Sequence, residues 1–242
     1  MIKFREKIFR HRVTSESVRL GVLLATIGGF LDAYTYIGEG GVFANAQTGN
    51  LVIFGVSIAK GNFFEAVLSL LPIVAFIIGV WVSEYIRNNW TTGFLGFWEN
   101  NILIIEGVIL FIIGFLPKEI SSAFVTISIS FVSSIQISSF RKLIDLPFST
   151  TMCTGNLRSA SQWLYMYFIN RDKANKEKAI RYYTIILFFI IGALIGGILT
   201  IKFQRKSIWI VDLLIILAII QFKIDKYVFE KYGDNSGYKD EF

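Results

Sequence analysis

Eight apolar stretches separated by short polar gaps most constrain what this chain can fold into. They lie at about 18–37, 43–59, 63–86, 101–116, 120–140, 147–169, 181–203 and 208–222. A helix that crosses a bilayer needs about 20 apolar residues, and several stretches reach that length. With 54% hydrophobic and only 17% charged residues, the chain lacks the charged surface of a soluble domain. The sequence therefore predicts an all-α, polytopic transmembrane bundle of six to eight apolar segments.

Basic residues set the expected orientation of the chain. Residues 1–16 are rich in Lys and Arg, and residues 223–242 form a second charged end. Most of the other Lys and Arg residues fall on the same side as these ends, whether six or eight segments cross the membrane. The positive-inside rule therefore predicts two cytosolic termini around a single transmembrane domain, 17–222, in the cytoplasmic (inner) membrane.

Composition and motifs exclude several functional classes. The net charge of +6 is divided among the ends and gaps, so nucleic acid is not expected as a partner. A single Cys excludes an internal disulfide, and a single His argues against a histidine-built metal or haem site. The sequence has no His-Glu-x-x-His, phosphate-loop or Gly-x-Ser-x-Gly motif. We therefore expect no enzyme activity, metal or cofactor.

A tripeptide recurs at equivalent places in two apolar stretches. Thr48-Gly49-Asn50 and Thr154-Gly155-Asn156 lie 106 residues apart. At ordinary composition a specified tripeptide of this kind has a chance of about one in ten thousand per position. The sequence therefore predicts two internal repeats, at about 17–116 and 120–222.

The number of spans decides how such repeats would be related. Eight spans would make the halves parallel. Six spans, with re-entrant segments at 43–59 and 147–169, would make them inverted and bring the two Thr-Gly-Asn segments face to face near the midplane. Both arrangements occur in transporters, and the distribution of Lys and Arg is compatible with either.

The Thr-Gly-Asn segments suit broken or re-entrant helices. Glycine lets the backbone leave helical geometry, and the hydroxyl and carboxamide groups can satisfy the backbone groups that a break frees. Two helix N-termini aimed at one cavity would favour an anion or a carbonyl-bearing solute. Close helix packing is an equally weighted alternative for these small and polar residues.

Ionisable residues flank the two motifs. Asp32 and Arg158 lie within apolar stretches, where a charge is costly and is functional by default, and they could pair across the repeat interface. The predicted substrate-binding set is Asp32, Asn45, Thr48, Gly49, Asn50, Gln136, Thr154, Gly155, Asn156 and Arg158. Glu106 and Asp212 are also 106 residues apart, and the alternatives for them are structural pairing, snorkelling to an interface, and proton or ion coupling.

Two further features predict local helix structure. Gly192, Gly196 and Gly197 form a small-residue face in the seventh apolar stretch, which predicts close packing against another helix. Pro147 suits the first turn of a helix, because its missing N–H would be unpaired there in any case.

The motif regions carry a family resemblance over about residues 17–222. The residues concerned are Gly28-Gly29-Phe30-Leu31-Asp32-Ala33, Gly41-Val42-Phe43-Ala44-Asn45, Thr48-Gly49-Asn50, Gln136, Pro147-Phe148-Ser149-Thr150-Thr151 and Thr154-Gly155-Asn156. In them the chain resembles the YoaK-like family of small bacterial membrane proteins of unknown function. Family members often have Met before the first Thr-Gly, where this chain has Gln47. The resemblance implies the topology and the motif positions, and it names no substrate.

Two functions remain as hypotheses from the sequence. The first is a small secondary transporter or channel-like carrier of a polar solute, with the two Thr-Gly-Asn breaks as its binding centre. The alternative is a non-transporting membrane scaffold or partner-binding subunit, whose polar residues only hold helices together. They differ in whether the polar residues converge on a water-accessible cavity. The expected partners are the lipid bilayer and a small polar solute, and the sequence makes no prediction of oligomeric state.

Overall fold

The chain forms a helical bundle in the computed structural model, which describes residues 17–89, 98–140, 142–143, 146–147 and 149–232. The helices are α1 (Val18–Gly38), α2 (Gln47–Ala59), α3 (Phe63–Asn89), α4 (Trp98–Ile113), α5 (Ser122–Ser139), α6 (Cys153–Asn170), α7 (Lys173–Phe203) and α8 (Trp209–Tyr232). A 3-10 turn, Gln204–Ile208, joins α7 to α8. The two-residue strands β1 (Lys142–Leu143) and β2 (Leu146–Pro147) pair antiparallel. The predicted all-α bundle is confirmed.

Long apolar helices give the bundle its membrane character. Within the described residues, α1, α3, α5 and the run Lys173–Ile224, which covers α7 and most of α8, are long and apolar enough to cross a membrane. Large apolar side chains are exposed on the outside of the bundle, including Phe64 at 77% and Trp81 at 69%. Hydrocarbon solvates such a surface, whereas water would not. Inside, a buried core draws apolar side chains from α1, α4, α5 and α8.

Three predicted boundaries differ from the structure. The apolar stretch at 43–59 becomes helical only at Gln47, and the stretch at 147–169 only at Cys153. Pro147 lies in β2, so the prediction that it opens a helix was wrong. α7 begins at Lys173 because Asp172 Oδ1 caps it, accepting from Ala174 N at 3.0 Å. The apolar stretch predicted at 181–203 missed the start of α7, because its first turns are polar.

Helices α1 and α7 lie side by side and run in the same direction. Ala25 of α1 packs with Ile185 of α7, and further along both helices Gly38 lies beside Thr200. Between these points a Cβ atom on Gly192 would overlap the α1 backbone. This close approach confirms the predicted packing role of the small-residue face in α7.

Helices α3 and α5 form a second parallel pair. Ser130 Oγ donates to Pro72 O at 2.8 Å. Further along, the hydroxyls of Ser83 and Ser139 are 3.4 Å apart. Because residue numbers rise together on both helices at these contacts, α3 and α5 point the same way.

Helix α4 runs antiparallel to α8. Trp209 Nε1, at the start of α8, donates to Phe111 O near the end of α4 at 3.2 Å. Deeper in the bundle, Gly107 of α4 packs on Ile215 of α8. The start of one helix therefore meets the end of the other.

The two ends of the bundle can be defined by residues near the ends of α1. Thr126 Oγ1, in the first turns of α5, donates to Glu39 O at 3.4 Å, so α5 starts where α1 ends. We call this the Glu39 end and the opposite one the Val18 end. Helices α1, α4 and α7 run toward the Glu39 end, and α3, α5 and α8 run away from it.

Candidate functional site

The segment after α1 turns back into the bundle before α2 begins. Ala44 N donates to Thr35 Oγ1 at 3.0 Å, and Asn45 Nδ2 donates to Gly28 O at 3.3 Å. Gly28 lies ten residues, or about 15 Å of helix, before the end of α1. The segment has therefore returned to the middle of the bundle when α2 starts.

Helix α2 then leaves by the end through which its preceding segment entered. Gln47 Nε2, in its first turn, donates to Ser130 Oγ at 3.1 Å, at the level where Ser130 contacts Pro72. The helix ends at Ala59, just before α3 starts at Phe63 at the Glu39 end. With 13 residues, α2 is about 20 Å long, which is shorter than a hydrocarbon core of about 30 Å.

The second short segment mirrors the first from the opposite end. The turn before α6 reaches the middle of α1, because a Cβ atom on Gly28 would meet the Thr151 side chain. From there α6 runs antiparallel to α7. Lys178 Nζ lies 4.1 Å from the centroid of the Trp163 ring, and Ser161 Oγ lies 3.4 Å from the Tyr183 hydroxyl. Helix α6 therefore starts near the middle and ends at the Val18 end.

The Asn of each Thr-Gly-Asn motif holds the turn that precedes its helix. Asn50 Oδ1 accepts from Phe43 N at 2.8 Å, and Asn50 Nδ2 donates to Phe43 O at 2.7 Å. In the second motif, Asn156 Nδ2 donates to Ser149 O at 2.6 Å. Both side chains reach seven residues back. The Phe43 ring also lies so close to Gly49 that a Cβ atom there would clash with it.

The other motif residues lie away from the middle of the bundle. Thr48, Thr154 and Gly155 are exposed on the outer faces of α2 and α6, and Arg158 is exposed one turn further along. Asp32 is only 4% exposed. In the described part of the chain, the Asp32 to Arg158 pair that we considered does not form.

Among the described residues, four buried polar atoms near the starts of the two short helices have no hydrogen-bond partner. They are Asp32 Oδ2, Asn45 Oδ1, Ser149 Oγ and Thr150 Oγ1. Asp32 also lies within electrostatic range of Cys153, the first residue of α6. Buried polar groups are normally hydrogen-bonded, and leaving them unpaired is costly. We call these four residues the central cluster.

The central cluster is partly occupied by the protein's own backbone. Asp32 Oδ1 accepts from Asn45 N at 2.7 Å and from Ala46 N at 3.3 Å. The carboxylate therefore caps the positive N-terminal end of α2. Ser149 and Thr150 were absent from the predicted set, and their position directly before the second motif is the signal that could have included them.

Gln136 belongs to a different polar group. Its Nε2 donates to Glu106 Oε2 at 2.8 Å, and Glu106 is fully buried. Asp212 lies across from Glu106 on α8, beside Gly107. Snorkelling therefore does not describe Glu106, since its carboxylate stays inside. Glu106 Oε1 and both carboxylate oxygens of Asp212 have no hydrogen-bond partner.

A buried ion pair closes the Glu39 end. Arg205 Nε donates to Glu39 Oε1 at 2.8 Å, and Arg205 Nη2 donates to Glu39 Oε2 at 3.0 Å. The same guanidinium group donates to Ile120 O at 2.6 Å and to Pro117 O. The pair joins residues 166 positions apart, and no sequence pattern linked them. Within the described residues, no group of three or more His, Cys, Asp or Glu side chains could hold a metal ion.

Comparisons with known proteins identify the family. A family described as a protein of unknown function, DUF1275, matches residues 20–221, a range that contains both Thr-Gly-Asn motifs. The UPF0700 transmembrane protein YoaK of Bacillus subtilis (strain 168) is 26% identical over 202 residues, which cover 80% of this chain and 88% of the relative. No solved structure matches the chain. The YoaK-like resemblance is thus confirmed, and the chain is a membrane protein that belongs to the DUF1275 family.

Proposed function

We propose that this protein is a small secondary transporter, or channel-like carrier, of a polar solute, which binds at the central cluster. The main observation in support is that, among the described residues, four buried polar atoms near the starts of α2 and α6 have no hydrogen-bond partner. Broken helices that meet near the bilayer midplane form the binding sites of many secondary transporters. A solute that pairs with these atoms would offset their cost of burial.

We further propose that the chain consists of two inverted repeats, α1 to α4 and α5 to α8. The packing supports this, because equivalent helices make equivalent contacts. Helix α1 packs against α7, and its equivalent α5 packs against α3. Helix α2 packs against α3, and its equivalent α6 packs against α7. Equivalent helices α1 and α5 run in opposite directions. In this arrangement α1, α3, α4, α5, α7 and α8 are the six spans, and α2 and α6 are re-entrant.

The six-span arrangement also supports an orientation. Two segments rich in Lys and Arg lie at the Val18 end. They are residues 171–181, around the start of α7, and the end of α8. Fewer cations lie at the Glu39 end, namely Lys60, Lys118, Lys202, Arg205 and Lys206. By the positive-inside rule, the Val18 end and both termini face the cytosol of an inner membrane.

The central cluster favours a solute that donates hydrogen bonds. Its free carboxylate and amide oxygens, on Asp32 and Asn45, can only accept, and the hydroxyls of Ser149 and Thr150 can donate or accept. Asp32 already neutralises the N-terminal end of α2. An amine or a polyhydroxy compound therefore suits the site better than the anion that helix N-termini alone would attract.

Cysteine accessibility tests the binding site without knowledge of the solute. In a Cys153→Ser background, single cysteines at Asn45, Ser149 and Thr150 should react with a small membrane-impermeant thiol reagent. Leu24 is fully buried in the apolar core, and a cysteine at this position is the matched control that should stay protected. Protection at all three cluster positions would argue against an aqueous binding site.

A transport assay then tests the activity. Protein reconstituted in vesicles should take up a member of a panel of amines and polyols, and Asp32→Asn should reduce uptake at least tenfold. That substitution removes the charge but keeps an acceptor for Asn45 N and Ala46 N, so the fold should survive. Uptake by the Asp32→Asn variant at the parent rate would contradict the assignment of Asp32.

A scaffold role is the second candidate, and one observation favours it. Asn50 and Asn156 bond to their own turns, while Thr48, Thr154 and Gly155 face outward, where a partner helix could pack. Under this alternative, large residues in place of Thr154 and Gly155 would break a complex isolated from the native membrane. Under the carrier proposal, such changes would leave uptake by purified protein intact.

A further inference from the structure

A basic cavity lies at the Glu39 end, apart from the central cluster. Its volume is about 690 Å³, and it is bounded by the connection between α4 and α5, the end of α7 and the 3-10 turn. A neighbouring cavity of about 390 Å³ shares Lys118, Gln204 and Arg205 with it. The size is that of an ordinary small-molecule or headgroup site.

Three lysines give this cavity its charge. Lys118, Lys202 and Lys206 line it, and all three are exposed. Among the described residues, none of their ammonium groups has a carboxylate within ion-pair distance. Arg205 also lines the cavity, but Glu39 neutralises it. Glu119 lies within electrostatic range of Arg205, and it balances only part of the lysine charge.

The other walls of the cavity are apolar and aromatic. Phe115 is 65% exposed and Phe203 is 59% exposed, and Trp209 also lines the cavity. Trp209 packs against Phe115 with ring centroids 4.8 Å apart, and its indole N–H donates a hydrogen bond to Phe111 O. Aromatic rings and lysines at the ends of transmembrane helices lie at headgroup depth.

We propose that this cavity binds the headgroup of an anionic phospholipid. The three lysines would contact the phosphate region, and the exposed apolar rings would lie along the upper acyl chains. A free anion from water would use the same charges but would gain nothing from the apolar walls. A lysine ammonium about 4 Å from a phosphate charge contributes about 1 kcal/mol in water, which corresponds to about fivefold in affinity. The inference does not depend on the proposed transport function.

Native mass spectrometry of the full chain in a neutral detergent tests the proposal. We expect phosphatidylglycerol to stay bound in preference to phosphatidylcholine. The triple variant Lys118→Gln, Lys202→Gln, Lys206→Gln should lose on the order of a hundredfold in apparent affinity for phosphatidylglycerol. These side chains are exposed, so the variant should keep the thermal stability of the parent.

Lys60→Gln is the matched control. Lys60 is an exposed lysine at the same end of the bundle and does not line the cavity. Its loss should leave phosphatidylglycerol binding unchanged. The proposal fails if the triple variant binds the lipid like the parent, or if Lys60→Gln weakens binding as strongly. Displacement of the lipid by excess inorganic phosphate would overturn the lipid assignment and indicate a site for free anions.

Discussion

Asn50 and Asn156 illustrate how a single side chain can hold a break in a membrane helix. Each amide reaches seven residues back and bonds to the backbone of the turn that it closes. In hydrocarbon, those backbone groups would otherwise be unpaired at a cost of several kcal/mol each. The recurrence of Asn in both motifs is therefore explained by a backbone requirement, before any solute is considered.

Removal of the Asn50 amide should destabilise the fold. Asn50→Ala leaves the N–H and C=O of Phe43 without partners, and we expect a loss of at least about 1–3 kcal/mol in unfolding free energy for each of the two groups. Thr48→Ala, on the exposed face of the same helix, should change it by no more than about 0.5 kcal/mol. Thermal unfolding in detergent measures both. A stable Asn50→Ala protein would show that the amide has a role other than holding the turn.

Gln136 and Glu106 give a second prediction about single residues. Gln136→Leu removes the donor to Glu106 Oε2 and leaves a fully buried carboxyl group with no partner. We expect a loss of about 1–3 kcal/mol in unfolding free energy. The double variant Gln136→Leu, Glu106→Leu should recover much of that loss, because the unpaired carboxyl group of Glu106 is then removed. Failure of the second change to recover stability would contradict this account.

The backbones of α1 and α7 approach each other closely, and this contact holds the two helices together. On α7, Gly192 and Gly196 lie so close to α1 that added Cβ atoms would overlap the backbone of Thr26 and Phe30. Without a hydrophobic driving force inside lipid, helices associate through such close packing. The spacing of small residues in the sequence was sufficient to predict this face.

Enlarging a glycine at that interface should separate the helices. Gly192→Leu introduces a side chain where the α1 backbone already lies, and we expect a loss of at least about 1–3 kcal/mol in stability. Gly55→Leu is the control, because a Cβ atom there meets nothing within 4 Å. Thermal unfolding of both variants in detergent checks the difference. Equal stability of the two variants would show that α1 and α7 do not pack as described.

For the whole molecule, the apolar stretches in the sequence predicted where the helices lie. They did not predict where each helix ends or which helices pack together. The stretch at 43–59 is mostly apolar, yet its first residues form an extended turn because Asp32 accepts the backbone N–H groups of Asn45 and Ala46. Such a contact depends on tertiary structure and leaves no local signal. The same holds for the pairing of Glu39 with Arg205 and for the position of Thr151 beside Gly28.

Labelling from each side of the membrane distinguishes six spans from eight. In a Cys153→Ser background, a cysteine at Lys60 should react from the side opposite the cytosol, whereas one at Arg171 should react from the cytosol. Eight spans would put Lys60 on the cytosolic side. Because both positions are exposed at helix ends, neither change should affect folding. Cytosolic labelling at both positions would exclude the inverted arrangement.

The depth of Asp32 along α1 has an electrical consequence for the proposed carrier. A charge moved across the whole membrane gains or loses about 2.3 kcal/mol per 100 mV. Asp32 lies six residues, or about 9 Å of helix, before the end of α1 and fourteen residues, or about 21 Å, after its start. A cation that reaches the carboxylate from the Glu39 end would therefore cross about a third of that voltage, and one that comes from the Val18 end would cross about two-thirds. Entry from the Val18 end would then depend on membrane voltage about twice as strongly as entry from the Glu39 end.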